Sequence, residues 1–403
     1  MSNWGKYYIC KNLAKNLRMT ADFHRKPTVK YLIKTKSSQG QRREVRYMPR
    51  VTVIIPNYNG KKYIDDCLRS LKKQTFCDLD VIVVDNGSTD GSCEFVRDKW
   101  CAENPPVGSG AGTASTVDSK ISKNAAHFKV ELIALPENTG FANAVNVGIE
   151  SSAVVNGEEE PSEYIFLLNN DAFCDEEAIE RLVHVMDKKK KLFSAQAKML
   201  QTKEPHNIDD CGDLYCALGW AFTPGKDADN RKFNRREPIT SACAGAAIYR
   251  REYFEEVGLF DKEHFAYLED VDLGYRARLK GYANVMEPTA IVYHAGSATS
   301  GSRYNAFKVE LTAANNLFLI YKNMPGLQIL INLPLIIIGI LVKHAFYTKH
   351  GLGRAHLKGL RNGFKKIAKF PDHRVKFRGR EILSALRLQI ELWVNCARRA
   401  LSV

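Results

Sequence analysis

At 403 residues, with 45% apolar and 26% charged side chains, the chain has the composition of a globular protein large enough for one α/β domain with appendages, which excludes a fibrous or disordered chain. Its formal charge of +14 is segregated: residues 1–50 carry +11, residues 343–403 carry +12, and the intervening body carries −9. The basic ends lack the interleaved aromatics and motifs of a nucleic-acid binder, so no nucleic acid partner is expected.

An acidic body with basic ends fits a protein that works on a metal-bound substrate while its ends touch an anionic surface; solvated tails without a partner are the alternative. The ten cysteines contain no Cys-x-x-Cys. They read as free thiols of a reducing compartment, and Cys211 with Cys216, lacking a histidine, is a weak zinc signal. Met1 to Gly40 holds no apolar core segment, so no signal peptide is expected and the location is read as cytoplasmic.

In chain order, residues 1–48 form a basic N-terminal extension. Val51–Pro56 reads as a buried strand cut by proline. Lys61–Lys73 follows as a helix with Ile64, Leu68 and Leu71 on one face. Leu79–Val84 and Val130–Leu135 are strands two and three, separated by a low-complexity insertion over 104–120. Thr139–Ser151 is a helix, 153–163 an exposed turn, and Tyr164–Leu168 strand four. Asp175 is placed as the cap of a helix whose first turn holds Glu176 and Glu177. Strands separated by helices imply a mostly parallel sheet, with ligands at the carboxyl ends of its strands. Further on, Ala244–Tyr249 is a short strand, Arg251–Val257 a short helix, Glu269–Lys280 a helix and Ala290–His294 a strand.

The last region, 321–403, is apolar and then basic. The run Leu327–Val342 is shorter than the about 20 apolar residues a span needs, and it contains Gln328, Asn332 and Pro334. A helix hairpin or re-entrant segment dipping into one leaflet is the expectation, with a buried core helix as the alternative. Lys343–Arg380 would then sit at headgroups, and Leu383, Leu386, Ile390, Val394, Ala397 and Leu401 form an amphipathic stripe. Removing 327–403 is expected to release the remainder into the soluble fraction. The same stripe could pair two subunits, which leaves a homodimer open.

Three segments place carboxylates just after apolar runs: Val81–Asp90, Tyr164–Asp171 and His264–Asp272. A lone buried carboxylate is costly, so each calls for a cation, a base or a hydroxyl. Three of them at strand ends describe an enzyme site holding a nucleotide and a divalent cation.

Six motifs then fall in order: Val53-Ile-Ile-Pro-Asn-Tyr-Asn-Gly60, Val84-Asp-Asn-Gly-Ser-Thr-Asp-Gly91, Glu137-Asn-Thr-Gly-Phe-Ala142, Leu168-Asn-Asn-Asp171, the segment Gly258–Arg276 with its Leu-Glu-Asp-Val-Asp, and Tyr293-His294. Together they resemble the family 2 inverting glycosyltransferases, most closely the rhamnosyltransferase-like branch, over roughly residues 51–320. The resemblance implies a GT-A fold (Rossmann-like, with a mostly parallel sheet) over 49–320, a nucleoside-diphosphate-sugar donor and Mn²⁺ or Mg²⁺. It casts Asp270 as general base with Glu269 as rival, and Asp171 and His294 as metal contacts, Asn169 replacing the family's first aspartate. Pro56, Asn57, Asn59, Asp85, Asn138, Asn170 and Arg303 are assigned to the donor nucleotide, and Gly245 and Tyr249 to the acceptor. Competing readings are an Asx-turn cap for Asp85, plain helix entry for Asn138-Thr-Gly140, and a structural i,i+4 pair for Asp272 and Arg276.

The expected activity is transfer of a sugar, rhamnose being one candidate, from a dTDP- or UDP-linked donor to a glycan or lipid-linked saccharide at the inner face of the cell membrane. Two alternatives stand beside it. One is a GT-A module that has lost catalysis and serves as an assembly partner. The other is a processive polysaccharide synthase, disfavoured because no Gln-x-x-Arg-Trp occurs.

Overall fold

The computed structural model describes residues 49–101, 128–155, 158–159, 161–296 and 304–401. The N-terminal extension, the 104–120 insertion and Arg303 lie outside these residues. Residues 48–403 cluster as one compact unit.

Apolar, β-branched runs form the parallel half of the sheet. β1 (Val51–Asn57) is followed by helix α1 (Ile64–Lys72), then by β2 (Leu79–Asn86) and β3 (Val130–Leu135). Helix α2 (Phe141–Ser151) leads to β4 (Tyr164–Leu168). β1 pairs in parallel with both β2 and β4, Val51 lying opposite Leu79 and Tyr164. Alternation along the strands feeds two cores, as expected of a sheet covered on both faces. Val51, Val53 and Ile55 face one core with the α1 residues, while Ile54, Val84 and Ile165 face the other with α2.

The second half of the sheet is mixed. Helix α3 (Ala178–Lys188) precedes β5 (Leu192–Gln201), and β6 (Ala246–Arg250) runs antiparallel between β4 and β5. After helix α4 (Glu269–Leu279), β7 (Ala283–His294) pairs in parallel with β5. The order across the sheet is the short strand Glu237–Ile239, then β7, β5, β6, β4, β1, β2, β3.

β5 escapes the sequence reading, and only the last five residues of β7 are anticipated. The reason is polar: Ser194, Gln196 and Lys198 break the apolar run, yet all three are buried. Ser194 Oγ donates to Asn284 Oδ1 at 2.8 Å and Gln196 Nε2 to Asp210 Oδ1 at 2.7 Å, so these groups are satisfied inside the sheet. Asp175 is not the cap of α3. The N-cap position falls on Glu177, without a side-chain bond to the helix.

Four helices close the chain: α5 (Ala306–Asn323), α6 (Gly326–Lys349), α7 (Gly353–Lys369) and α8 (Gly379–Leu401). The expected hairpin or re-entrant segment is instead one continuous helix, α6, running through Pro334. α7 lies close against α5, where a Cβ on Gly359 would sit 2.3 Å from the Glu310 carbonyl oxygen; only glycine permits that approach. A third core joins these helices to the main domain through Tyr275 and Leu279 of α4, Leu319 of α5, Ile336 of α6 and Leu388 and Leu392 of α8.

Candidate active site

Asn57, buried where β1 ends, ties three strand ends together. Its Nδ2 donates to Asp85 Oδ2 at 2.8 Å and to Ser92 Oγ at 2.9 Å, and its Oδ1 accepts from Asn170 Nδ2 at 2.8 Å. Asp85 is buried, and its other oxygen accepts from the Ser88 N–H at 3.0 Å, so the Asx-type turn is present. Two internal bonds still leave an ionised carboxylate with accepting capacity. Gly60 lies directly against this cluster; a Cβ there would fall 2.0 Å from Asn170 Nδ2 and 2.2 Å from Asn57 Oδ1. Pro56 is half-buried beside it. Asn59 is exposed, has φ 51°, and accepts from the Thr89 N–H at 2.8 Å.

Asn138-Thr-Gly140 does not aim free N–H groups at a ligand. Thr139 N donates to Asn86 Oδ1 at 2.9 Å, Gly140 N to Asn138 Oδ1 at 3.0 Å, and Ala142 N to the Phe265 carbonyl. These donors are consumed in holding the β2 end to the start of α2, so plain helix entry is what this segment does.

At the end of β4, Asn169-Asn170-Asp171 forms a turn that faces the end of β7. Asp171 Oδ1 lies 3.1 Å from His294 Nε2, and Asp209 Oδ2 lies 2.7 Å from His294 Nδ1. Lys226 Nζ pairs with Asp209 at 3.1 Å. Burial disfavours charge on the His294 ring, but hydrogen bonds to Asp171 and Asp209 outweigh it and push the ring up to about 10. Asp209, despite its own burial, is held down to about 2 by the same histidine and by Lys226. An oxygen and a nitrogen donor converge here, with Asp209 orienting the ring from behind; a divalent cation held between Asp171 and His294 would have to displace the Nε2 proton, and no cluster of three or more metal-ligating side chains is formed among the described residues.

α4 begins after a turn in which Phe265, Tyr267 and Leu268 have φ of 62°, 68° and 67°. Non-glycine residues occupy that region only when their surroundings impose it. Here the buried Asn315 of α5 does so: its Nδ2 lies 2.8–2.9 Å from the carbonyl oxygens of His264, Ala266 and Tyr267. Lys366 of α7 fixes that amide by donating to Asn315 Oδ1 at 2.7 Å.

The three carboxylates that follow have different surroundings. Glu269 is buried, Oε2 has no partner, and burial with the adjacent Asp270 pushes it far above the usual carboxylate range. Asp270 is half-buried. Burial lifts it to about 6 against the Val271 N–H, with Asp210 adding to the rise. Asp272 is sealed off with Arg276 at 2.8 Å, Lys322 at 2.9 Å and Asn323 at 2.8 Å, so the i,i+4 pair is present within a larger network.

One dipeptide is bonded both to the start of the Asn169–Asp171 turn and to Asp270. Ala244 N lies 3.4 Å from Asp270 Oδ2, and the next residue, Gly245, accepts from Asn169 N at 3.0 Å. Gly245 therefore belongs to the junction of both ends, with Asn169 Nδ2 only 3.1 Å from where a Cβ would stand. Tyr249 does not reach an acceptor. It is buried against Phe193, Phe254 and Phe260, and its hydroxyl donates to the Ala242 carbonyl. The inward-facing side of β6 carries it into the core.

Sequence reasoning missed Asp209, Asp210 and Asp213, which complete the acidic wall between His294 and Asp270. Thr223 Oγ1 lies 2.9 Å from Asp210 Oδ2 and 3.4 Å from Asp213 Oδ1. The signal was the cluster Asp209-Asp210-Cys-Gly-Asp213 itself, three carboxylates in a segment without helical or strand periodicity.

An α/β sheet with polar and acidic side chains gathered at its strand ends is the arrangement of a domain that binds its ligand at those ends. Residues 49–311 match the family described as glycosyltransferase like family 2; the chain belongs to it and is a glycosyltransferase. Among similar proteins is the N-acetylglucosaminyl-diphospho-decaprenol L-rhamnosyltransferase of Mycobacterium tuberculosis, 23% identical over 264 residues, covering 62% of this chain and 77% of that protein. The glycosyltransferase GlyG of Streptococcus pneumoniae is 27% identical over 139 residues, covering 34% of this chain and 36% of that protein. Among solved structures, GalNAc-T7 with UDP, GalNAc and Mn²⁺ aligns with a TM-score of 0.47 at 13% identity, covering 68% of this chain and 48% of that one. The mannosyltransferase PcManGT of Pyrobaculum calidifontis with GDP-Man and Mn²⁺ aligns at 0.45 and 17%, covering 86% and 81%.

Proposed function

We propose that the protein is an inverting, metal-dependent hexosyltransferase that moves a sugar from a nucleoside-diphosphate donor to a hydroxyl of a glycan or lipid-linked saccharide. The observation supporting this reading is the Ala244–Gly245 junction, a single dipeptide bonded both to Asn169, at the start of the turn that carries Asp171, and to Asp270. Asp85, with Asn57, Asn59, Asn170 and Pro56, borders the donor nucleotide, and the remaining lone pairs of Asp85 suit the ring N–H of uracil or thymine alike. Asp171 and His294 would hold Mn²⁺ or Mg²⁺, which when bound supplies positive charge to the leaving diphosphate.

Asp270 acts as base. It takes the proton of the acceptor hydroxyl as that oxygen bonds to the anomeric carbon, and the bond to the diphosphate breaks on the opposite face with its electron pair leaving on the nucleotide. Its lift to about 6 and a side chain less buried than that of Glu269 support that role. Rhamnose is the sugar to which the mycobacterial relative points, carried by a dTDP- or UDP-linked donor, and the site of action is the cytoplasmic face of the cell membrane.

The test is a transfer assay on Asp270→Asn together with nucleotide-induced thermal stabilisation. Loss of about 10²–10⁴ in rate is expected with nucleotide stabilisation retained. An undiminished rate would remove Asp270 from the reaction. An α-linked product from an α-linked donor, read by NMR of the anomeric proton, would exclude inversion.

A further inference from the structure

Two helices of the C-terminal region turn an apolar face outward, and in α6 the polar side chains are the ones turned in. In a water-soluble bundle the apolar stripe of each helix turns inward. In α6 the inward positions are Gln328, Asn332, Ile336 and Gly339, while Leu327, Leu330, Ile331, Ile337, Ile338 and Leu341 are exposed. α8 is apolar on both sides: it buries Ala385, Leu388 and Leu392 beside Ser384, Gln389 and Asn395, and still turns Leu383, Leu386, Ile390, Trp393 and Val394 outward, with Arg387 among them.

The buried amides join the two helices. Asn332 and Gln389 exchange side-chain hydrogen bonds at 2.7 and 2.9 Å, Trp393 Nε1 donates to Asn332 Oδ1 at 3.1 Å, and Gln328 Nε2 donates to the Ala385 carbonyl at 3.2 Å. Amides as the joint and aliphatic chains as the outer surface is the arrangement used between helices in lipid.

We propose that the joined outer faces of α6 and α8 are embedded in one leaflet of an anionic bilayer, with α6 lying in the membrane plane. This deepens the membrane location given above and rests on it. α6 is long and apolar enough to cross a membrane, and only 17% of its most apolar window is buried. It is nevertheless bound along its length to the catalytic domain. Gln328 Oε1 accepts from Tyr275 of α4 at 3.2 Å, and at mid-helix Trp220 Nε1 donates to the Gly339 carbonyl at 3.2 Å. A Cβ on Gly339 would fall 2.1 Å from the Leu218 carbonyl oxygen. The hairpin carrying Leu218 and Trp220 could not sit at the bilayer centre beside a spanning helix.

Charge selects lipid over a second copy. α7, which packs beside α6, exposes Arg354, Lys358, Arg361, Lys365 and Lys369 with Leu357 and Phe364 between them, a surface suited to anionic headgroups. The two acids of α8, Glu381 and Glu391, turn inward to Lys280, just past the end of α4, and to Arg278 in its last turn. Two copies meeting over this region would bring like charges together.

The test is flotation of the full chain with phosphatidylcholine vesicles containing phosphatidylglycerol, with Trp393 fluorescence quenched by brominated lipid and Trp393→Phe as control. Expected are co-flotation that survives high salt and quenching that the control lacks. A Leu330→Asp/Ile390→Asp variant should lose at least tenfold in vesicle binding while nucleotide still stabilises it. Binding abolished by salt without quenching would overturn embedding. So would a detergent-free dimer that shields Trp393 and ignores vesicles. Asp270→Asn should float like the wild type, so failure of the catalytic assignment and failure of the membrane assignment are read separately.

Discussion

Asp270 and Asp272 lie two positions apart, yet one is lifted to about 6 and the other is held well below the usual carboxylate range by Arg276 and Lys322. A base must be ionised to accept a proton. Below about pH 6, kcat/KM should therefore fall roughly tenfold per pH unit, and it should level off above. A profile flat down to pH 4 would contradict Asp270 as base. Asp171→Asn, which removes a charged oxygen but keeps the shape, should abolish the extra thermal stabilisation that Mn²⁺ adds to a nucleoside diphosphate. It should leave the metal-free melt within a few degrees of wild type.

At the scale of elements, α4 is aimed by a turn that its own residues disfavour. Three left-handed non-glycine residues in four cost of order 1–3 kcal/mol each, and Asn315 with Lys366 holds them from α5 and α7. Asn315→Ala removes the donor shared by the His264, Ala266 and Tyr267 carbonyls and should lower stability by about 1–3 kcal/mol. It should also reduce kcat while nucleotide affinity stays near wild type, because Asn57, Asp85 and Asn170 belong to the other half of the cleft. Thermal melts with nucleotide titration separate the two effects; a matched loss of both would assign Asn315 to general stability only. β1, β2, β3 and β4 were legible as strands because apolar runs bounded by turn residues state their own periodicity. β5 was not, because its buried Ser194 and Gln196 are paid for by partners at Asn284 and Asp210, distant in the chain.

Taken whole, the C-terminal helices are not a detachable anchor. α6 and α8 cover Val271, Tyr275 and Leu279 of the catalytic helix, and Glu381 and Glu391 pair with its last turn. Deleting 327–403 should therefore give an aggregating product without a cooperative melt, instead of the soluble domain expected from the apolar run alone. A monodisperse truncated protein that still binds nucleotide would refute this. The order of motifs, the strand-end carboxylates, the basic termini and the outward stripe of α8 could all be read from residues, since each depends on neighbours within a turn or a strand. Which carboxylate stays open, which histidine partner orients the ring, that Tyr249 is core, and that the amides of α6 and α8 face each other depend on contacts made across the fold. Burial and pairing across such distances set the charge and access of a group, and no local pattern encodes them.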